Sequence, residues 1–143
     1  MAQRLLFPIL TIALLATSAQ AAPLTVTDSW FRALPSKLPA AGYFTLTNSG
    51  PSPVALKSAQ SSACGTLMLH MTHNMGGMMH MMEVEQVEVP ARSTVKFAPG
   101  GYHLMCTNPT AALTPGAAVA VTLHFSDGSQ SNTTFAVRSA TGQ

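Results

Sequence analysis

The sequence predicts an all-β protein: one antiparallel β-sandwich with Greek-key connections, immunoglobulin-like in type. Three observations carry this. Short runs rich in β-branched and aromatic residues recur along the chain, each bounded by Gly, Pro, Asn or Asp. No stretch holds a helical apolar period. The cleanest run, Val119 to Phe125, alternates strictly, with Val119, Val121, Leu123 and Phe125 on one face.

Taken in order, residues 1–21 have the pattern of a secretory signal peptide. Arg4 gives a positive start, Leu5 to Leu15 is apolar apart from Thr11, and Ala19-Gln20-Ala21 offers a small-residue cleavage signal. The apolar run is too short to span a bilayer, and no later run is long enough. Residues 22–143 are then expected to form one exported domain in the periplasm, without a membrane span. Leu24 to Arg32 reads as the first strand, with Asp28-Ser29 as an interruption. Ala33 to Pro39 is a loop. Gly42 to Thr47 is a strand, and Asn48-Ser49-Gly50-Pro51 turns it. Pro53 to Ala59 follows as an edge strand, since proline cannot donate to a ladder. Thr66 to His73 leads to a hairpin tip at Asn74 to Met78 centred on Gly76-Gly77, and Met79 to Val89 returns. Thr94 to Phe97, Tyr102 to Thr107, Val119 to Phe125 and Thr133 to Val137 complete the set.

Composition narrows the function. The formal net charge is +2, and only 8% of residues are charged. Lys and Arg stand singly, so there is no basic patch to neutralise phosphates, and nucleic acid is not an expected partner. No paired carboxylates or nucleophile–base arrangement points to an enzyme. Cys64 and Cys106 are the two cysteines. In an oxidising compartment the default reading is a disulfide, with two free thiols or a metal role as alternatives.

The densest chemistry lies between Leu67 and Met105. Eight of the nine methionines and four of the five histidines fall in that span. Thioethers are soft donors suited to Cu(I), and imidazole suits copper in either oxidation state. Period-two geometry sorts the donors. His103 and Met105 share one face of their strand, and Cys106 points the other way, which favours a structural role for it. Met81 shares a face with Glu83 and Glu85, read as solvent-facing, so Met82 and Val84 are expected toward the core. Met68 reads as core filler, and His124 as a surface residue. A metal site of His70, Met81, His103 and Met105 then draws two ligands from the hairpin and two from a later strand, giving two nitrogens and two sulfurs for a tetrahedral d¹⁰ ion.

This spacing, His70 then ten residues to Met81, then twenty-one to His103-x-Met105, resembles the H(M)X10MX21HXM signature of the PCu(A)C-type periplasmic copper chaperones. Met71 stands at the parenthesised methionine. Trp30 and Arg32, Ala40-Ala41-Gly42-Tyr43, Asn48-x-Gly50, Val89-Pro90-Ala91 and Pro99-Gly100-Gly101 are also similar to that family's pattern. The resemblance implies a cupredoxin-like sandwich binding Cu(I) through those four residues at an exposed site. It further implies delivery toward the Cu(A) centre in subunit II of cytochrome c oxidase, alongside Sco-type thioredoxin-like chaperones. Arg138 to Gln143 lacks the His/Met-rich tail of many members. The hairpin tip is enriched instead, with His73, Met75, Met78, Met79 and His80. It reads either as a second copper site or loading platform, or as a loop without stoichiometric metal. Copper buffering or resistance without a dedicated acceptor is the alternative function. A blue-copper centre is disfavoured because Cys106 follows His103 and Met105 and faces away.

Overall fold

The computed structural model describes residues 23–143, so the signal-peptide reading lies outside the described residues. Ten strands make up the domain: β1 (Leu24–Arg32), β2 (Ala40–Asn48), β3 (Val54–Gln60), β4 (Cys64–Met75), β5 (Met78–Glu83), β6 (Val87–Val89), β7 (Ser93–Phe97), β8 (Tyr102–Pro109), β9 (Ala118–Phe125) and β10 (Gln130–Arg138). They form one sheet in the order β5-β4-β8-β2-β1-β10-β9-β3-β6, with β7 pairing the second half of β2. The sheet folds over into an open sandwich. Phe31, Phe44, Leu46, Leu56, Phe97, Leu104, Leu123 and Phe135 meet in a single core between its halves. Among the described residues, no helix is long and apolar enough to cross a membrane.

The all-β sandwich is as the sequence predicts, and four local expectations need correction. The pairing is not wholly antiparallel, because β1 runs parallel to β10 through Trp30–Arg32 and Ala136–Arg138. Asp28 enables this. It sits at φ 53, and the register of β1 against β2 shifts between Thr27 and Trp30. The bulge re-aims the second half of β1 between β2 and β10. The strand after Pro53 is not an edge. It lies between β9 and β6, and the three-residue β6 takes the edge instead. The prolines precede the paired residues and so cost the ladder nothing.

The run from Met79 to Val89 is two strands rather than one. β5 pairs with β4, and β6 pairs with β3 at the far end of the strand order. Glu83 to Gln86 carries the chain across, and exposed Glu83, Glu85 and Gln86 keep that crossing in water. Consequently Met82 does not face the core. It is 45% exposed, since β5 is a sheet edge with every residue exposed, and Val84 is only partly buried against the core.

Candidate metal centre

The site is built on one face of the strands β5, β4 and β8. Directly paired residues point to the same side of a sheet. His70 pairs with His103, Met68 with Met105, and Thr72 with Met81. His70, Met81, His103 and Met105 therefore share one face. The intervening residues, Leu69, Leu104 and Cys106, turn into the core. The alternation that separates His103 from Cys106 in the sequence is what separates the site from the core here.

The two imidazoles are held without hydrogen-bond partners on the nitrogens that matter. Their ring centres lie 5.7 Å apart. Both nitrogens of His70 and Nε2 of His103 are buried and unpaired. His103 Nδ1 lies 3.2 Å from the Gly101 carbonyl, which has no proton to give, so Nδ1–H is the donor. That fixes the tautomer and leaves the Nε2 lone pair free, the arrangement a metal-binding histidine uses. Burial pushes the His103 imidazole below the usual histidine range. His70 nearby adds to the shift, and the Gly101 bond partly opposes it. The ring is thus kept neutral, as a ligand must be.

Each unpaired buried nitrogen costs on the order of 1–3 kcal/mol, a cost that a bound ion would remove. An ion about 2 Å from each nitrogen lies roughly 3 Å from each ring centre, so the 5.7 Å separation is within its span. The residues fit a soft metal. Among the described residues, no three His, Cys, Asp or Glu side chains converge anywhere. A full coordination shell here must draw on thioethers.

Met81 and Met105 line a cavity of about 290 Å³ with His103, Thr72, Ala41, Tyr43 and Arg32. Met81 is 62% exposed, so the cavity opens to solvent on the β5 side. Arg32 forms part of the wall, its guanidinium stacked 5.4 Å from the Tyr43 ring and 5.6 Å from Trp30. Burial raises the Tyr43 hydroxyl above its usual value, which Arg32 partly offsets, so the ring stays neutral.

The sequence reading missed Met68. It reads as core filler in the sequence, yet it is half-buried on the face of the candidate ligands, opposite Met105. The parity of β4 carries the signal, because Met68 and His70 are two residues apart. Glu83 shares Met81's face, as the alternation of β5 predicts, and pairs with His70 on it. His124 lies outside the site, with Nε2 3.2 Å from the Gln60 side-chain oxygen. Cys64 and Cys106 form a disulfide, with Cα atoms 5.4 Å apart. Cys106 is fully buried on the core side. No thiolate is present for a blue-copper centre.

Comparison with known proteins places the family and the fold. The family described as "Putative lipoprotein LpqE-like" matches residues 24–137. "Putative lipoprotein Lxx21020" of Leifsonia xyli subsp. xyli (strain CTCB07) is 36% identical over 124 residues, 86% of this chain and 74% of its own length. Among solved structures, the Cu(I) form of DR1885 from Deinococcus radiodurans is 31% identical with a TM-score of 0.63, over 86% of this chain and 81% of that one. The copper-bound PCuAC domain from PmoF2 superposes with a TM-score of 0.70 at 22% identity, over 85% of this chain and 97% of that one. With the matched span and the identity to Lxx21020, the chain belongs to the LpqE-like family, and its fold is that of the PCuAC domains.

Proposed function

We propose that the protein is an exported Cu(I) carrier that holds one ion through His70, Met81, His103 and Met105 and passes it on. One observation carries this reading. Two imidazoles on adjacent strands present buried, unpaired nitrogens to the face where the methionine sulfurs lie. The donor set selects the ion. Two nitrogens completed by thioethers suit a soft d¹⁰ cation and suit Mg²⁺ or Ca²⁺ poorly, since those need oxygen. The Cu(I) form of the related DR1885 supports the same choice of ion.

The geometry also suits release. His103 is 3% exposed and Met81 is 62% exposed, both on one face of the site. An acceptor can displace the exposed thioether first while the buried imidazoles still hold the ion. The resemblance in the signature supplies the destination, the Cu(A) centre in subunit II of cytochrome c oxidase, with a Sco-type partner, in the periplasm. The reading includes no catalytic step. The five exposed methionines of the β4–β5 hairpin also favour a buffering role as the second reading.

The test is anaerobic titration of Cu(I) against a chromophoric chelator. Replacing His103 and Met105 together by alanine should remove one tight equivalent with the far-UV circular dichroism unchanged. Retention of every wild-type equivalent in that double variant would overturn the assignment. Transfer to the soluble domain of oxidase subunit II, followed by its copper absorbance, separates delivery from buffering. A carrier loads that domain. A buffer holds its copper against it.

A further inference from the structure

The tip residues do not form one cluster. The ladder sorts them onto two faces. Met71 pairs with Met82, His73 with His80, and Met75 with Met78, and these six side chains share one face of the β4–β5 ribbon. Met79 pairs with Asn74 and Met81 with Thr72, so both lie on the other face, with His70. Each set follows the same rule. At the first site a His–His rung, His70 with His103, has a Met–Met rung two residues away, Met68 with Met105. On the opposite face a His–His rung, His73 with His80, has a Met–Met rung on either side.

We propose that this second face is a separate Cu(I) site, formed by His73 and His80 with thioethers from Met75 and Met78 or from Met71 and Met82. It deepens the carrier reading and rests on it only for the identity of the ion. Paired residues place their Cβ atoms about 4.5–5.5 Å apart, close enough for two imidazoles to converge on one ion. Diagonal neighbours stand about 7–8 Å away, within reach of methionine's three rotatable bonds. The face carries no carboxylate, so it offers nothing to a hard cation.

The ribbon gives this face room. The last pairing of β4 with β8 is Met71 with Tyr102, and the residues beyond it outrun the body of the sheet. Met75 and Met78 are 61% and 66% exposed, against 3% for His103. Gly76 and Gly77, at φ 62 and 85, close the ribbon in two residues and hold the rungs in register. The second site is therefore the more exposed of the two. It faces away from the first across the thickness of one ribbon, so the two ions are held independently.

The experiment is the anaerobic Cu(I) competition titration on wild type, H73A/H80A and H70A/H103A. Wild type should bind two equivalents, and each variant should lose one. Two further variants, M75L/M78L and M71L/M82L, keep the bulk of the side chains, and the one that removes the thioether donors should weaken only the equivalent missing from H73A/H80A. One equivalent in wild type, retained by H73A/H80A and lost from H70A/H103A, overturns the second site and leaves the carrier site standing. One equivalent lost only from H73A/H80A supports the tip and overturns the first site. Absence of tight binding in wild type overturns both.

Discussion

His103 donates from Nδ1 to the Gly101 carbonyl, and the same carbonyl accepts the backbone N–H of Thr72 at 3.1 Å. One oxygen thus fixes both the histidine's tautomer and the place where the hairpin leaves the sheet. The lowered basicity of His103 has a consequence for folding. Between its folded value and the unfolded value of 6.5, the unfolded chain binds a proton that the folded chain refuses. Stability of the apo-protein should therefore fall as pH drops through that window and level off below the folded value. Urea midpoints across the acid range, compared with H103Q, check the sign. A wild-type profile parallel to that of H103Q would refute it. Met68 makes a second case at this scale. It pairs with Met105 on the face of the proposed ligands, so M68L should alter copper affinity if that thioether exchanges with Met81 or Met105, and should leave affinity unchanged if it only packs. We expect a measurable weakening of one equivalent in the chelator competition, with the stoichiometry unchanged.

At the scale of elements, the site depends on how closely β1, β2 and β8 approach one another. Gly42 pairs with both Phe31 and Leu104. A Cβ there would meet Phe31 Cε1 at 2.7 Å and Leu104 Cβ at 3.2 Å. G42A should therefore overpack the wall behind the site and cost about 1–3 kcal/mol, read as a lower urea midpoint. A midpoint equal to wild type would show that the Phe31 ring can turn aside without loss. The β4–β5 hairpin behaves differently, because its tip is exposed on both faces and packs on little. Valine at Gly76 and Gly77 should leave the global midpoint nearly unchanged. Amide exchange at His73 and His80 should become faster, because both positions need the left-handed backbone.

Over the whole molecule, the disulfide ties the start of β4 to the middle of β8, the two strands that carry both histidines of the site. It closes a separation of 42 residues, worth about 4 kcal/mol on the chain-entropy model. C64S/C106S should lose about 2–4 kcal/mol in chemical denaturation. It should keep the copper stoichiometry, because Cys106 lies on the core side and the proposed ligands lie on the other. Loss of copper binding in a folded double variant would mean that the bridge also sets ligand geometry. A bridge of this kind fits an oxidising compartment, in keeping with the proposed export.

The sandwich, the opposition of His103 and Met105 to Cys106, and the Gly76-Gly77 turn are all legible in the order of residues. These follow from the alternation of side chains along a strand and from glycine's tolerance of positive φ, both local properties of the chain. Tertiary structure decided the rest. Register chose Met68 as a neighbour of Met105 and divided the tip between two faces, because pairing depends on the partner strand. Crossing between the two ends of the strand order split Met79 to Val89 into β5 and β6 and left Met82 in solvent, where alternation alone had placed it inside. The burial that strips partners from His70 and His103 also belongs to the fold. It arises where strands and loops distant in sequence close over one face, and no local pattern of residues encodes that closure.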